Sequence, residues 1–213
     1  DEDLDLVVHL GDYIYEYGGE DGRVRKHAGG EIESLADYRI RHSQYKTDPH
    51  LQAMHARCPW LVTWDDHEVD NNYANDICED ERVDPAAFLA RRANAYQAYY
   101  ENMPLRSSSL PSGPNMQLYR KVSFGQLAEF NILDTRQYRT NQPNFDGICD
   151  INDAACDPQN TMLGDGQRRW LKKSLAASPA TWNVLAQQVM MGMVDVEPGP
   201  NKRYFMDEWP GYV

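Results

Sequence analysis

Three apolar runs in this chain each end in carboxylates, and that repeated pattern restricts the fold more than any other feature. Leu4 to Leu10 leads into Gly11-Asp12, Trp60 to Trp64 into Asp65-Asp66-His67-Glu68, and Leu127 to Leu133 into Asp134. Short continuous runs of bulky and β-branched residues read as strands covered on both faces. They alternate with helical stretches at about Leu35 to Lys46, Pro49 to Arg57, Pro85 to Asn102 and Gly164 to Ala177. Ser34 and Asp48 are N-cap candidates for the first two, and Pro85 opens the third. Phe88, Leu89, Tyr96 and Tyr99 mark the stripe by which that third helix is buried. A hairpin is expected at Phe124-Gly125-Gln126, between strands at about Leu118 to Ser123 and Leu127 to Leu133, and a further buried strand at Trp182 to Met191. The alternation predicts an α/β layered fold. Ligands in such folds bind outside the C-terminal ends of strands, so the three acidic strand ends are expected to converge.

Length and charge narrow the function. At 213 residues the chain is expected to build one large core. Its 33 Asp and Glu exceed its 21 Lys and Arg to give a net charge of −12, and the basic residues are scattered among carboxylates. That balance argues against a nucleic-acid partner and for cations. No apolar run approaches the roughly 18 residues needed to span a bilayer. The cysteines Cys58, Cys78, Cys149 and Cys156 lack zinc-site spacing; Cys149 and Cys156 close a short polar loop and are read either as a disulfide or as free thiols.

Convergent carboxylates repel one another unless a hard cation takes their oxygens as ligands, so a metal site is the leading reading. Gly11 lets the chain turn at the strand end, and Asp12 can offer two oxygens, enough to bridge two metals. Tyr13, Tyr15 and Tyr17 read either as packing residues or, for one of them, as a ligand to a strong Lewis acid such as iron(III). His67 beside carboxylates suits a general acid or a stabiliser of transferred negative charge, against the alternative of a structural histidine. The acidic run at 65–72 could also be a solvated turn in which Asp70 or Asn72 caps a helix. Arg136 is read either as a structural ion-pair partner, which is favoured, or as a bidentate contact to an anionic substrate oxygen.

The segments His9-Leu10-Gly11-Asp12-Tyr13-Ile14-Tyr15-Glu16-Tyr17, Thr63-Trp64-Asp65-Asp66-His67-Glu68-Val69-Asp70-Asn71-Asn72-Tyr73-Ala74 and Leu133-Asp134-Thr135-Arg136-Gln137-Tyr138-Arg139 closely resemble the alkaline phosphatase D (PhoD-like) family of metallophosphatases. Trp182 to Met191 and Asp207-Glu208-Trp209-Pro210-Gly211-Tyr212 support the resemblance, in the family's order along nearly the whole chain. The resemblance implies a calcineurin-like metallophosphoesterase core, with two sheets flanked by helices. It further implies hydrolysis of phosphate monoesters, and of diesters, by a metal-activated hydroxide with iron(III) and calcium. Small-molecule phosphate esters would be the partners. Asp12 would bridge the metals and Tyr15 would bind iron. Asp66 matches a position where related enzymes place a metal-binding Asn, His67 would stabilise or protonate the phosphoryl group, and Asn72 would bind calcium. Export to the periplasm or outside the cell by the twin-arginine route is also implied.

The family supplies an iron-binding Cys upstream of the first strand, and an Asp and a His from a Gly-Asp-x-His strand end downstream; neither is matched in this sequence. Residues 1–213 are therefore expected to be an internal section of the catalytic domain, incomplete at both ends and inactive by itself. Two other readings stay open. One is a phospholipase-like phosphodiesterase using the same site, and the other a non-catalytic, calcium-binding secreted domain.

Overall fold

A computed structural model describes residues 3–19, 24–80 and 82–213. The chain divides into two compact units, Asp1–Asn71 with Cys78–Leu118, and Asn72–Ile77 with Tyr119–Val213. Length alone argues for a single core, whereas the structure has two units.

In the first unit, β1 (Val7–Leu10) and β2 (Trp60–Thr63) pair in parallel, from Val7 opposite Trp60 to Leu10 opposite Thr63. Between them in sequence come α1 (Leu35–Tyr45) and α2 (Pro49–Arg57), and after them α3 (Pro85–Asn102). Each helix start is chemically marked. Ser34 and Asp37 form a reciprocal capping box, while Asp48 and Asp84 accept backbone N–H bonds ahead of Pro49 and Pro85. These caps explain why both proline-led helices begin where the sequence places them.

α3 buries Phe88, Tyr96 and Tyr99, as expected, while Leu89 is only half-buried and Arg92, Ala95 and Ala98 complete the stripe. Trp64, just past β2, is fully buried with its ring stacked on Tyr96 at 4.1 Å and edge-on to Tyr99 at 5.4 Å. Such pairs add about 0.5–1.5 kcal/mol beyond area burial, so Trp64 fixes the end of β2 against α3. One expectation fails here. β1 is not buried on both faces: its residues are intermediate and Leu10 is 43 % exposed. Among the described residues its only strand neighbour is β2.

The second unit holds the three-stranded sheet β3 (Arg120–Phe124), β4 (Ala128–Ile132) and β6 (Trp182–Ala186), with β4 in the centre. β3 and β4 form the expected hairpin, turning at Gly125 with φ +57°, and β6 runs parallel to β4. The expected buried strand at Trp182 to Met191 is shorter and more exposed: it ends at Ala186, and Trp182 is 65 % exposed. It has a neighbour on one side only among the described residues, and Gln187 and Gln188 leave the ladder to make side-chain bonds to Val189 and Thr135. A second pair, β5 (Ile148–Cys149) with β7 (Tyr204–Phe205), is antiparallel. Between β5 and β6 lies α4 (Gly164–Ala177), pinned to the end of β4 by Gln167, whose amide both accepts from Asp134 N–H at 2.9 Å and donates to the Asp134 carbonyl at 2.7 Å. All four cysteines are free thiols, so of the two readings for Cys149 and Cys156 the structure has the unbridged one.

Asp207 organises the loops of this unit. Its two oxygens take the Arg136 guanidinium bidentately at 2.7 Å each, Oδ1 also accepts from Arg139 and from Gln142 at 2.8 Å, and both arginines are buried. Burial opposes its ionisation, but the two guanidinium groups outweigh that and hold its carboxyl well below the usual range. Removing it would leave two buried guanidinium groups without this carboxylate, a costly loss.

His42 makes a testable link between fold and pH. It is fully buried in α1, and neither ring nitrogen has a hydrogen-bond partner. Burial, and then the charge of Lys46, push its pKa from 6.5 down to about 3. The unfolded chain therefore binds a proton through a pH range where the folded chain does not. The stability this neutral histidine contributes is present above about pH 6.5 and is lost as pH falls toward the folded value. Between pH 7 and 5 the unfolding free energy should drop about 2 kcal/mol more in the wild type than in His42→Phe. Denaturant melts at the two pH values measure this, and equal losses in both proteins contradict it.

Candidate metal centre

Parallel pairing sets the C-terminal ends of β1 and β2 side by side, and each strand runs on into acidic residues. Gly11 makes the approach possible. A Cβ built there would lie 2.5 Å from the Asp65 amide nitrogen and 2.6 Å from Asp65 Cβ, and its φ of +104° is one that glycine alone adopts readily. The next residue, Asp12, is held at φ +57°, a left-handed conformation that a non-glycine residue keeps only where its surroundings impose it. Glu68 imposes it by crossing between the two loops: one carboxylate oxygen accepts the Tyr13 N–H and the other the Asp65 N–H at 2.8 Å. Burial first and the nearby Asp12 charge second push Glu68 up to about 8, against the pull of its two N–H donors.

The bridged loops bring metal-ligating groups together. Asp12, Asp66 and His67 each offer a ligand atom, all within 4.8 Å of one another. Asp66 is buried, and the other two are partly covered. His67 Nδ1 lies 2.7 Å from Glu16 Oε2, and the other Glu16 oxygen accepts the Asn71 N–H at 2.9 Å. A buried carboxylate behind one imidazole nitrogen fixes the ring and its tautomer, and leaves Nε2 as the atom for chemistry. Burial would depress the His67 pKa, but the Glu16 hydrogen bond and the charges of Asp66, Glu16 and Asp12 raise it to about 9.

Tyr15 joins the same cluster. Its hydroxyl donates to Asp12 Oδ2 at 3.0 Å, and its ring centroid is 4.2 Å from that of His67, with Tyr17 edge-on to the histidine at 5.4 Å. Burial, and after it the Asp12 charge and hydrogen bond, keeps the phenol firmly protonated. This donor set of two carboxylates and an adjacent phenol, with the Glu16-held His67 beside it, suits a hard cation. It offers fewer groups than the about six oxygens calcium takes at least, so these side chains make up part of a coordination sphere.

The other anticipated site residues belong to the second unit and find partners there. The Asn72 amide donates to Asp146 Oδ2 at 2.5 Å, and its backbone carbonyl accepts from Gln142. Arg136 is held by Asp207. Asp134, the third acidic strand end, is fully buried and closes its own turn by accepting the N–H groups of Arg136 and Gln137 at 3.0 and 2.9 Å. It acts as an Asx-type turn former on its own unit's sheet, and within the first unit the acidic ends that follow β1 and β2 converge.

Two residues have roles the sequence does not reveal: Glu16, which orients His67, and Glu68, which ties the loops. Both are visible there only as acids within longer polar runs. Because Glu16 raises the His67 pKa, His67 in the metal-free chain should titrate near pH 9, and Glu16→Gln should move that midpoint toward 6.5. An NMR titration of the histidine reads it directly, and an unmoved midpoint would remove Glu16 from the site.

Known proteins resemble this chain along its whole length. The family model for PhoD-like phosphatases matches residues 1–213. Alkaline phosphatase D of Bacillus subtilis (strain 168) is 55 % identical over 216 residues, covering 99 % of this chain and 37 % of that protein. A solved structure of PhoD superposes with a TM-score of 0.94 at 54 % identity, covering 100 % of this chain and 41 % of that one. The chain thus spans about two fifths of the length of these relatives, and it carries their mixed α/β architecture of sheets and helices. By the match along its whole length, the chain belongs to the PhoD-like phosphatase family.

Proposed function

We propose that this chain supplies part of the catalytic centre of a metal-dependent phosphoesterase that cleaves small phosphate monoesters and diesters. The observation that carries the reading is the meeting of Asp12, Asp66 and His67 at two adjacent strand ends, with Glu16 behind the histidine. The relatives' names support the reaction class.

Asp12 and Asp66 would hold the cation, with Tyr15 as a further ligand where it is iron(III); calcium is the second cation of the reading. Such ions supply Lewis acidity, balancing charge on phosphoryl oxygens and lowering the pKa of bound water. The chain's own residues supply the rest. His67, kept protonated and oriented by Glu16, donates its Nε2 proton to the oxygen that leaves phosphorus as water adds from the opposite side. Glu68 holds both loops in place. Arg136 takes no part in this reading, because Asp207 engages its guanidinium.

Among the described residues no helix is long and apolar enough to cross a membrane. We place the enzyme outside the cytoplasm, after twin-arginine export, on the resemblance of its motifs alone.

Asp12→Asn removes a charge needed for the cation while keeping the side chain's shape. In the metal-loaded full-length protein it should lower kcat/KM for an aryl phosphate by at least about a thousandfold, with little change in melting temperature. Steady-state kinetics and a thermal melt check this together. Turnover near the wild-type rate would sink the reading.

A further inference from the structure

Beside the centre lies a pocket of about 390 Å³ whose walls include Tyr15, Tyr17, Arg25, His27 and Tyr45. No step of the proposed reaction uses it. Tyr15 and Tyr17 are the two rings that flank His67, at 4.2 and 5.4 Å, so the pocket begins where the proposed proton donor stands. A general acid must stand at the oxygen of the departing alcohol, and whatever that oxygen carries must extend away from phosphorus.

The pocket is built to stay open. His27 links its walls, with Nδ1 at 2.7 Å from the Tyr17 carbonyl and Nε2 at 3.0 Å from the Tyr45 hydroxyl. Arg25 stands 4.9 Å from the centre of the Tyr45 ring, and Asp48 holds its guanidinium at 3.3 Å. From beneath, the buried Arg41 donates to the carbonyls of Tyr15 and of Tyr17, the latter at 2.8 Å. The Tyr15 and Tyr45 hydroxyls are held by Asp12 and His27, the His27 and Tyr45 rings lie 5.7 Å apart, and with Tyr17 these rings give the pocket flat apolar surface.

We infer that this pocket is the leaving-group subsite of the centre, and that it selects phosphate esters whose alcohol carries a flat aromatic ring. The inference rests on the phosphoesterase reading, and it assigns Tyr17 and Tyr45 as specificity-determining residues. Stacking on the tyrosines favours an aromatic ring over a saturated one of the same size, by the modest factor that ring pairs provide.

The test compares phenyl phosphate with cyclohexyl phosphate in the metal-loaded full-length protein. The phenyl to cyclohexyl ratio of kcat/KM in Tyr45→Leu, divided by the same ratio in the wild type, cancels the intrinsic difference between the two alcohols. That quotient should fall roughly fivefold. Tyr45→Phe, which keeps the ring and loses the bond to His27, should restore most of it. A quotient near one in Tyr45→Leu overturns the subsite while leaving the phosphoesterase reading intact. Equal loss in the Leu and Phe variants also overturns it, since the ring would then not be what is recognised. Wild-type protein that turns over neither ester fails the parent reading, and the subsite falls with it. Should Tyr45→Leu not fold, Tyr17→Leu and the inhibition constants of phenylphosphonate and cyclohexylphosphonate on the wild type decide the same question. A wild-type preference for the phenyl compound is expected, and no preference counts against the subsite.

Discussion

The contact between Gly11 and Asp65 is the constraint on which the rest of the site depends. Two parallel strands can end side by side in many proteins, but here a Cβ at Gly11 would lie within 3 Å of the backbone of the neighbouring loop. That closeness lets one carboxylate, Glu68, accept N–H groups from both loops, and the bridged loops hold Asp12 in its left-handed conformation next to Asp66 and His67. Acids packed this closely repel one another, and the fold meets the cost from below: Trp64 and the rings of α3 anchor β2, while Gly11 and Glu68 leave the loops no other arrangement.

Much of this was legible in the sequence, for physical reasons. The helix bounds were readable because Pro49 and Pro85 each follow an aspartate that caps. The hairpin at Gly125 was readable because only glycine sits easily at a positive φ. The strand ends announced themselves through the change from apolar run to acid. Burial was less legible. β1 is as apolar as a central strand yet is only partly covered, with β2 its one strand neighbour among the described residues, since apolar character reports what a face can bury and not which neighbours arrive. The same limit shortened the strand after Trp182.

The acids themselves divide in a way that spacing could not reveal. Asp12, Asp66 and Asp134 look alike as the last residues of strand-forming segments. In three dimensions the first two keep oxygens near a histidine, whereas Asp134 uses its own on residues of its own turn. Asp207 is different again, pairing with two buried arginines. A net charge of −12 thus conceals three uses of carboxylate, namely gathering a cation, closing a turn and neutralising guanidinium. Glu16 and Glu68 add a fourth, in which an acid acts through its neighbours. Neither has a sequence signature, because their importance arises only when two segments about fifty residues apart are brought together by β1 and β2.

The central claim is that these two strand ends form a cation site. Anomalous diffraction from crystals of the metal-loaded full chain, collected across the iron absorption edge, tests it most directly. The account predicts an iron peak within bonding distance of the Asp12 carboxylate and the Tyr15 hydroxyl. Well-ordered Asp12 and Tyr15 side chains with no metal peak beside them, in crystals whose metal is bound elsewhere, would contradict it.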